Sequence, residues 1–270
     1  MNRTNPIGIF DSGIGGLTVV KRISSFFPNE NIIYFGDTAR VPYGNKSNDT
    51  VIEYALQDAN FLFKKNVKLI IVACNTASSV AIDVLKEKFQ VPVIGMIEPG
   101  AQLAIDTTNN KRIGVIGTYA TIGNHAYSSE IKKHNPKIEV FEKPCPLFVP
   151  LAEEGWMDHP STKLIAEEYL NDFINWDIDT LILGCTHYPL LSAVIEEVMG
   201  DKVTLIDSGT AAASVVEDHL NGRGLRNTSV QQGQYEYYLS DLSGKFKDVA
   251  ERFLGRTVGN INKVDLEQLI

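Results

Sequence analysis

The sequence predicts an α/β protein made of two pseudo-symmetric lobes, each a parallel sheet flanked by helices, with the active site between them. Three observations carry that prediction. Short apolar segments alternate with helical stretches along the whole chain, the pattern of strands buried on both faces of a parallel sheet. Two of those segments continue alike, in LIIVACNTAS (69–78) and LILGCTHYPL (181–190): an apolar run, a small residue, a cysteine, then threonine close behind. Asp-Ser-Gly occurs at 11–13 and returns at 207–209. A chain of 270 residues, 44% of them hydrophobic, is long enough to give both lobes a core. The expected division is 1–97 with 208–270 as the first lobe and 98–207 as the second, with a junction near EPGAQ (98–102).

IGIF (7–10) reads as the first strand, running into the glycine-rich turn DSGIGG. Those glycines do not fit a dinucleotide fingerprint, and no Gly-Lys-Ser/Thr follows to make a phosphate loop. NIIYFG (31–36) is the second strand. A capping box of Thr50 and Glu53 opens a helix over 50–65, with Val51, Tyr54, Ala55 and Leu62 on its apolar face. LIIVA (69–73) is followed by a helix burying Ala77, Val80, Ala81, Val84 and Leu85. VPVIGMI (91–97), IGVIG (113–117), TLILG (180–184) and VTLID (203–207) are the remaining strands. Leu190, Leu191, Val194, Ile195 and Val198 share one helical face, and Gly200 ends that helix. The tail, YEYYLSD then KFKDVAERFLG, reads as a strand and a helix to which no chemistry is assigned.

The net charge of −8 and the lack of any Lys/Arg block argue against nucleic acid as a partner. No apolar run approaches the roughly 20 residues of a membrane helix. The first 30 residues lack a basic start followed by an apolar stretch, so no signal peptide is expected. Three cysteines give no disulfide framework; they should be free, in a reducing cytoplasm.

In open α/β sheets ligands bind beyond the carboxyl ends of the strands. Cys74 and Cys185 stand at two such ends, each just before a helix N-terminus, a position that favours the thiolate. On facing lobes they would address one small molecule from opposite sides. His187, two residues after Cys185, suits proton exchange with that thiol. Asp11 suits a carboxylate that orients or proton-couples Cys74, although it would be equally ordinary as a turn or N-cap residue. Cys145, between two prolines, reads as structural.

Paired thiols meet the need of an enzyme that removes a proton from one face of a carbon and returns one to the other. One is thiolate while its partner is thiol, and the roles exchange with direction. Two other classes stay open: a zinc protein using Cys74, Cys185 and His187, and a thiol redox or amino-acid-binding module without turnover.

IFDSGIGGLTV, YFGDTARVPYGNKS, VACNTAS, GVIGTYAT, PLFVPLAEEG, LGCTHYPLL and LIDSG together resemble the glutamate racemases, over about residues 6–220. The resemblance implies cofactor-independent, metal-free interconversion of L- and D-glutamate, supplying D-glutamate for peptidoglycan; a homodimer is expected, although members of the family differ in how they pair. It implies that Cys74 takes the α-proton of D-glutamate and Cys185 that of L-glutamate. Asp11 would support the first thiol and His187 the second, with Glu153 as an auxiliary carboxylate beside the easily confused Glu154. Ser12, Tyr43, Gly44, Asn75, Thr76, Thr118, Thr121 and Thr186, with Asp11 and His187, correspond to substrate-holding positions. A racemase for aspartate or another amino acid on the same plan is the nearest alternative.

Overall fold

The computed structural model describes residues 2–259 and 261–269. Its strands, in chain order, are β1 (Ile7–Asp11), β2 (Ile32–Gly36), β3 (Leu69–Val72), β4 (Val93–Ile94), β5 (Arg112–Gly117), β6 (Glu139–Pro144), β7 (Thr180–Gly184), β8 (Thr204–Asp207), β9 (Tyr235–Leu239) and β10 (Ile261–Lys263). They form two sheets, ordered β10-β9-β2-β1-β3-β4 and β6-β5-β7-β8. Every pairing is parallel. The order 2-1-3-4 in the first sheet recurs as 6-5-7-8 in the second, so the sequence repeat is a repeat of winding. The tail adds two strands to the first sheet only.

The helices are α1 (Leu17–Phe26), α2 (Asn48–Lys64), α3 (Asn75–Lys88), α4 (Ile97–Thr107), α5 (Tyr119–Gly123), α6 (Ala126–His134), α7 (Phe148–Glu153), α8 (Pro160–Asn175), α9 (Ser192–Met199), α10 (Ser208–Gly222) and α11 (Phe246–Leu254). Period-2 alternation along the strands decides which core each side chain joins. Ile7 and Ile9 of β1 share one buried cluster with Leu181 and Leu183 of β7, bridged by Val19 and Val20 of α1 and Ala212 and Val216 of α10. Phe10, Ile70 and Val72 point to the other face, under α2 and α3. Val115 and Ile182 do the same in the second sheet, under α4 and α6. One apolar cluster therefore ties the two sheets together.

Several local readings need correction. Ser47, not Thr50, caps α2, accepting the N–H of Thr50 at 3.4 Å; the hydroxyl one turn earlier reaches the free N–H groups first. Val84 is 37% exposed, at the edge of the apolar face of α3. Of VPVIGMI only Val93–Ile94 is strand, and α4 starts at Ile97, so EPGAQ lies inside a helix. Leu190 and Leu191 lie in a 3-10 turn, Tyr188–Leu191, that precedes α9. Strand β6, EVFEKP, was not expected: it is a half-exposed edge strand with charges and a proline, so it lacks an apolar signature.

The switch in winding direction falls between β1 and β3 in one sheet and between β5 and β7 in the other. Crevices open at the carboxyl ends of such neighbouring strands. Asp11 ends β1, Cys74 follows β3, Thr118 follows β5 and Cys185 follows β7. The two Asp-Ser-Gly motifs also fold alike. Asp11 Oδ2 accepts the N–H of Gly13 at 3.0 Å, and Asp207 Oδ1 that of Gly209 at 2.9 Å.

Candidate active site

Cys74 is the N-cap residue of α3, and its thiol donates to Ser12 Oγ at 3.5 Å. The helix N-terminus favours the thiolate as expected, through the Ala77 N–H, but it is outweighed. Burial, reinforced by the neighbouring Asp11 carboxylate, pushes the thiol up to about 12, against the help of Ser12 and the Ala77 N–H. Asp11 is itself fully buried, and desolvation raises its pKa although His187, the Gly13 N–H and Thr186 pull it down. Its carboxylate accepts from Thr186 Oγ1 at 3.4 Å, so Asp11 of the first lobe is tied to the loop carrying Cys185.

Cys185 does not cap a helix; it precedes the 3-10 turn that Pro189 imposes. Its Sγ lies 3.7 Å from His187 Nδ1, and His187 Nε2 lies 3.0 Å from Glu153 Oε1. Burial of the imidazole works against its charge, but the bonds to Cys185 and Glu153 outweigh it and carry the His187 pKa up to about 10. An imidazolium held between a sulfur and a carboxylate can shuttle a proton. Thr18 of α1 donates to Thr186 O at 2.8 Å and fixes this loop from behind. Gly15 and Gly16 are small because the turn packs on both centres: a Cβ on Gly15 would lie 2.2 Å from Thr186 Oγ1, and one on Gly16 would lie 2.5 Å from Asp11 Cβ.

Both thiols line one cavity of about 240 Å3. Ser12, Tyr43, Gly44, Asn75, Thr76, Thr118, Thr186 and His187 line it with them, and none of its lining residues among those described is Lys or Arg. Three predicted residues do not line it. Asp11 sits behind the wall, Thr121 lies beneath Thr76 and Thr118, and Glu153 is on the far side of His187. Thr76, Thr118 and Thr121 form a closed triangle of hydroxyls, with oxygens 2.9, 3.2 and 3.0 Å apart, that joins the start of α3 to the start of α5. The side chains of Tyr43 and Asn75 are engaged elsewhere: the phenol oxygen lies within hydrogen-bond reach of both Asp37 and Asp58, and the Asn75 amide accepts from Tyr127 OH at 2.6 Å. Gly44 abuts Thr118, 2.9 Å from where a Cβ would stand.

A sequence model of the family described as Asp/Glu/Hydantoin racemase matches residues 19–216. The chain belongs to that family. Within it, the chain is 52% identical over 263 residues to a glutamate racemase of Chlorobaculum tepidum, covering 97% of each. It is similar to a solved glutamate racemase of Francisella tularensis in complex with D-glutamate, at TM-score 0.92 and 44% identity, covering 98% of this chain and 99% of the other. A glutamate racemase structure from Bacillus anthracis gives TM-score 0.94 at 35% identity, with 98% and 99% covered.

In this racemase-family chain the cysteines are unpaired and buried. Cys145 is packed in the core, its thiol bonded only to Lys143 O at 3.7 Å and pushed far up by burial. Among the described residues no group of three or more His, Cys, Asp or Glu is arranged to hold a metal ion, so Cys74, Cys185 and His187 do not form the ligand set of the zinc alternative. Sequence reasoning missed the apolar wall of the cavity, Val149 and Pro150 of α7, and Tyr119 at its mouth. Nothing in their local pattern distinguishes them from core or surface residues.

Proposed function

We propose that the protein interconverts L- and D-glutamate without a cofactor, by two-base proton transfer. The observation that carries this reading is that Cys74 and Cys185, which follow equivalent strands of the two sheets, line a single small cavity free of Lys and Arg. Cys74 takes the α-proton of D-glutamate while Cys185 delivers one to the opposite face; in the other direction the roles reverse. Asp11, beside Cys74 and fixed by the Gly13 turn, ties the first half-site to the second through Thr186, and the Glu153–His187 pair holds the proton inventory of the second. Ser12, the threonine hydroxyls and the N–H groups opening α3 hold the two carboxylates, and Tyr43, Gly44 and Asn75 shape the wall that receives them. The names of similar proteins, glutamate racemases of Chlorobaculum tepidum and Geobacter metallireducens, and the D-glutamate held by the Francisella tularensis enzyme support glutamate as the substrate.

A thiol of pKa about 12 is almost wholly protonated at neutral pH, so the thiolate that must act as base is scarce in the free protein. The proposal therefore requires substrate binding to displace water and align the α-proton, with preorganised donors stabilising the developing carbanion. We place the enzyme in the cytoplasm as a homodimer of chains with lobes 1–97 plus 208–270 and 98–207, supplying D-glutamate for peptidoglycan.

The test is incubation of metal-free protein with L- or D-glutamate in deuterium oxide. Optical rotation should decay to zero from both sides as deuterium enters the α-carbon. A serine hydroxyl is a far weaker acid than a thiol, so Cys74→Ser and Cys185→Ser should each lose about 100-fold or more of this activity. Exchange with aspartate but not glutamate would change the substrate. Activity largely retained in either variant would refute the two-thiol mechanism.

A further inference from the structure

The tail, to which the sequence assigned no chemistry and which lies beyond the matched region 19–216, reaches the second thiol's proton-handling groups. Arg252 of α11 donates from Nη1 to Glu153 O at 2.9 Å. Its guanidinium docks over Gly155, whose φ of +76° and missing side chain make room: a Cβ there would lie 2.6 Å from Arg252 Cζ. The next residue, Phe253, is fully buried with its ring edge-on to His187, centroids 5.5 Å apart at 88°. One turn of α11 thus grips the end of α7 that carries Glu153 and, at the same time, the ring that Glu153 must meet.

We infer that α11 positions the Glu153–His187 pair for Cys185, making Arg252 and Phe253 positioning residues of the reaction. The inference rests on the two-thiol reading. The Glu153 side chain is 41% exposed and borders an open cavity of about 530 Å3, so without a fixed backbone its carboxylate would be free to swing into solvent. The groups facing His187 are Cys185, Glu153 and Asp11, with Arg252 and Glu154 beside Glu153. Releasing the Glu153 carboxylate frees the imidazole to turn, and with it the ring nitrogen that faces the Cys185 thiol. Cys74, whose thiol is bonded to Ser12, is outside this chain of contacts.

The experiment compares Arg252→Ala, Arg252→Lys and Phe253→Leu with the wild-type protein. It follows kcat and KM in both directions, and the rate at which iodoacetamide alkylates each cysteine at neutral pH, read by peptide mass spectrometry. In Arg252→Ala and Phe253→Leu, kcat should fall about tenfold with KM within about twofold, and Cys185 alkylation should slow about fivefold while Cys74 alkylation is unchanged. Arg252→Lys, which restores a donor to Glu153 O, should recover most of both losses. Wild-type kcat and alkylation in the Ala and Leu variants, or equal slowing at both thiols, would overturn the inference. Cys74→Ser and Cys185→Ser run alongside. Activity persisting in either refutes the two-thiol reading and this inference with it, whereas two inactive serine variants beside wild-type-like α11 variants refute the inference alone.

Discussion

Gly15 shows how much of the site is a matter of single atoms. Its α-carbon is the point where the turn after β1 meets Thr186 and His187, with no room for a methyl group. Gly15→Ala should therefore push the Cys185 loop away from Asp11. Overpacking of this kind costs about 1–3 kcal/mol of stability. Activity should fall more steeply than that, because displacing a catalytic group by about 1 Å costs about 100-fold in rate. Racemisation rates and urea melts of the variant check both halves; an active, stable Gly15→Ala protein would show that the contact yields. The glycine run in DSGIGG was legible as a special turn, but not as a clearance for residues 186 and 187, because a distant partner leaves no local trace in the sequence. Asp11 is similar. Its place at a strand end could be read, whereas its bond to Thr186, in the other sheet's loop, could not.

At the scale of elements, α3 and α5 meet end to end through Thr76, Thr118 and Thr121. Each hydroxyl satisfies the other two, so removing one leaves two neighbours short of a partner. Thr76→Val and Thr118→Val should each raise the KM for glutamate severalfold and cost about 1 kcal/mol of stability. The double variant should cost less than the sum, since the second substitution removes a bond already broken. Equilibrium unfolding and initial rates over the four proteins of the cycle measure this, and strict additivity would mean that the triangle is not one unit. The strands and helices framing it were largely visible in the sequence, because buried parallel strands are continuous apolar runs. Where the apolar signal was absent, as in β6 with its two glutamates, lysine and proline, the element was missed.

For the whole molecule, the His187 imidazolium links the site to stability. Its pKa rises on folding from an ordinary 6.5 to about 10. The folded state therefore holds the proton more tightly than the unfolded chain. That contribution is full below pH 6.5, declines above it, and is lost as pH rises through about 10. Denaturation in urea should show the wild-type protein losing more stability than His187→Gln over that window. Equal losses would place the imidazole's proton outside the folding balance. The stabilising contact and the proposed proton store are the same pair of bonds, to Cys185 and Glu153, and α11 holds both from outside.

The sequence by itself determined the two-lobed parallel α/β fold, the repeated strand–cysteine–helix motif, the two thiols at strand ends and the family resemblance. Each of these is written in local pattern: apolar runs, small residues before cysteine, and motifs in a fixed order. Only the tertiary structure decided that both thiols share one cavity, that Glu153 and not Glu154 meets His187, that Asp11 is tied to the opposite lobe and that the tail reaches the site. The same structure reversed the expected net shift for the Cys74 thiol, because a helix terminus can be seen in sequence but desolvation and a buried neighbouring carboxylate cannot. Local pattern sets which elements form; charge state and contact between elements depend on what surrounds each group after the chain has closed on itself.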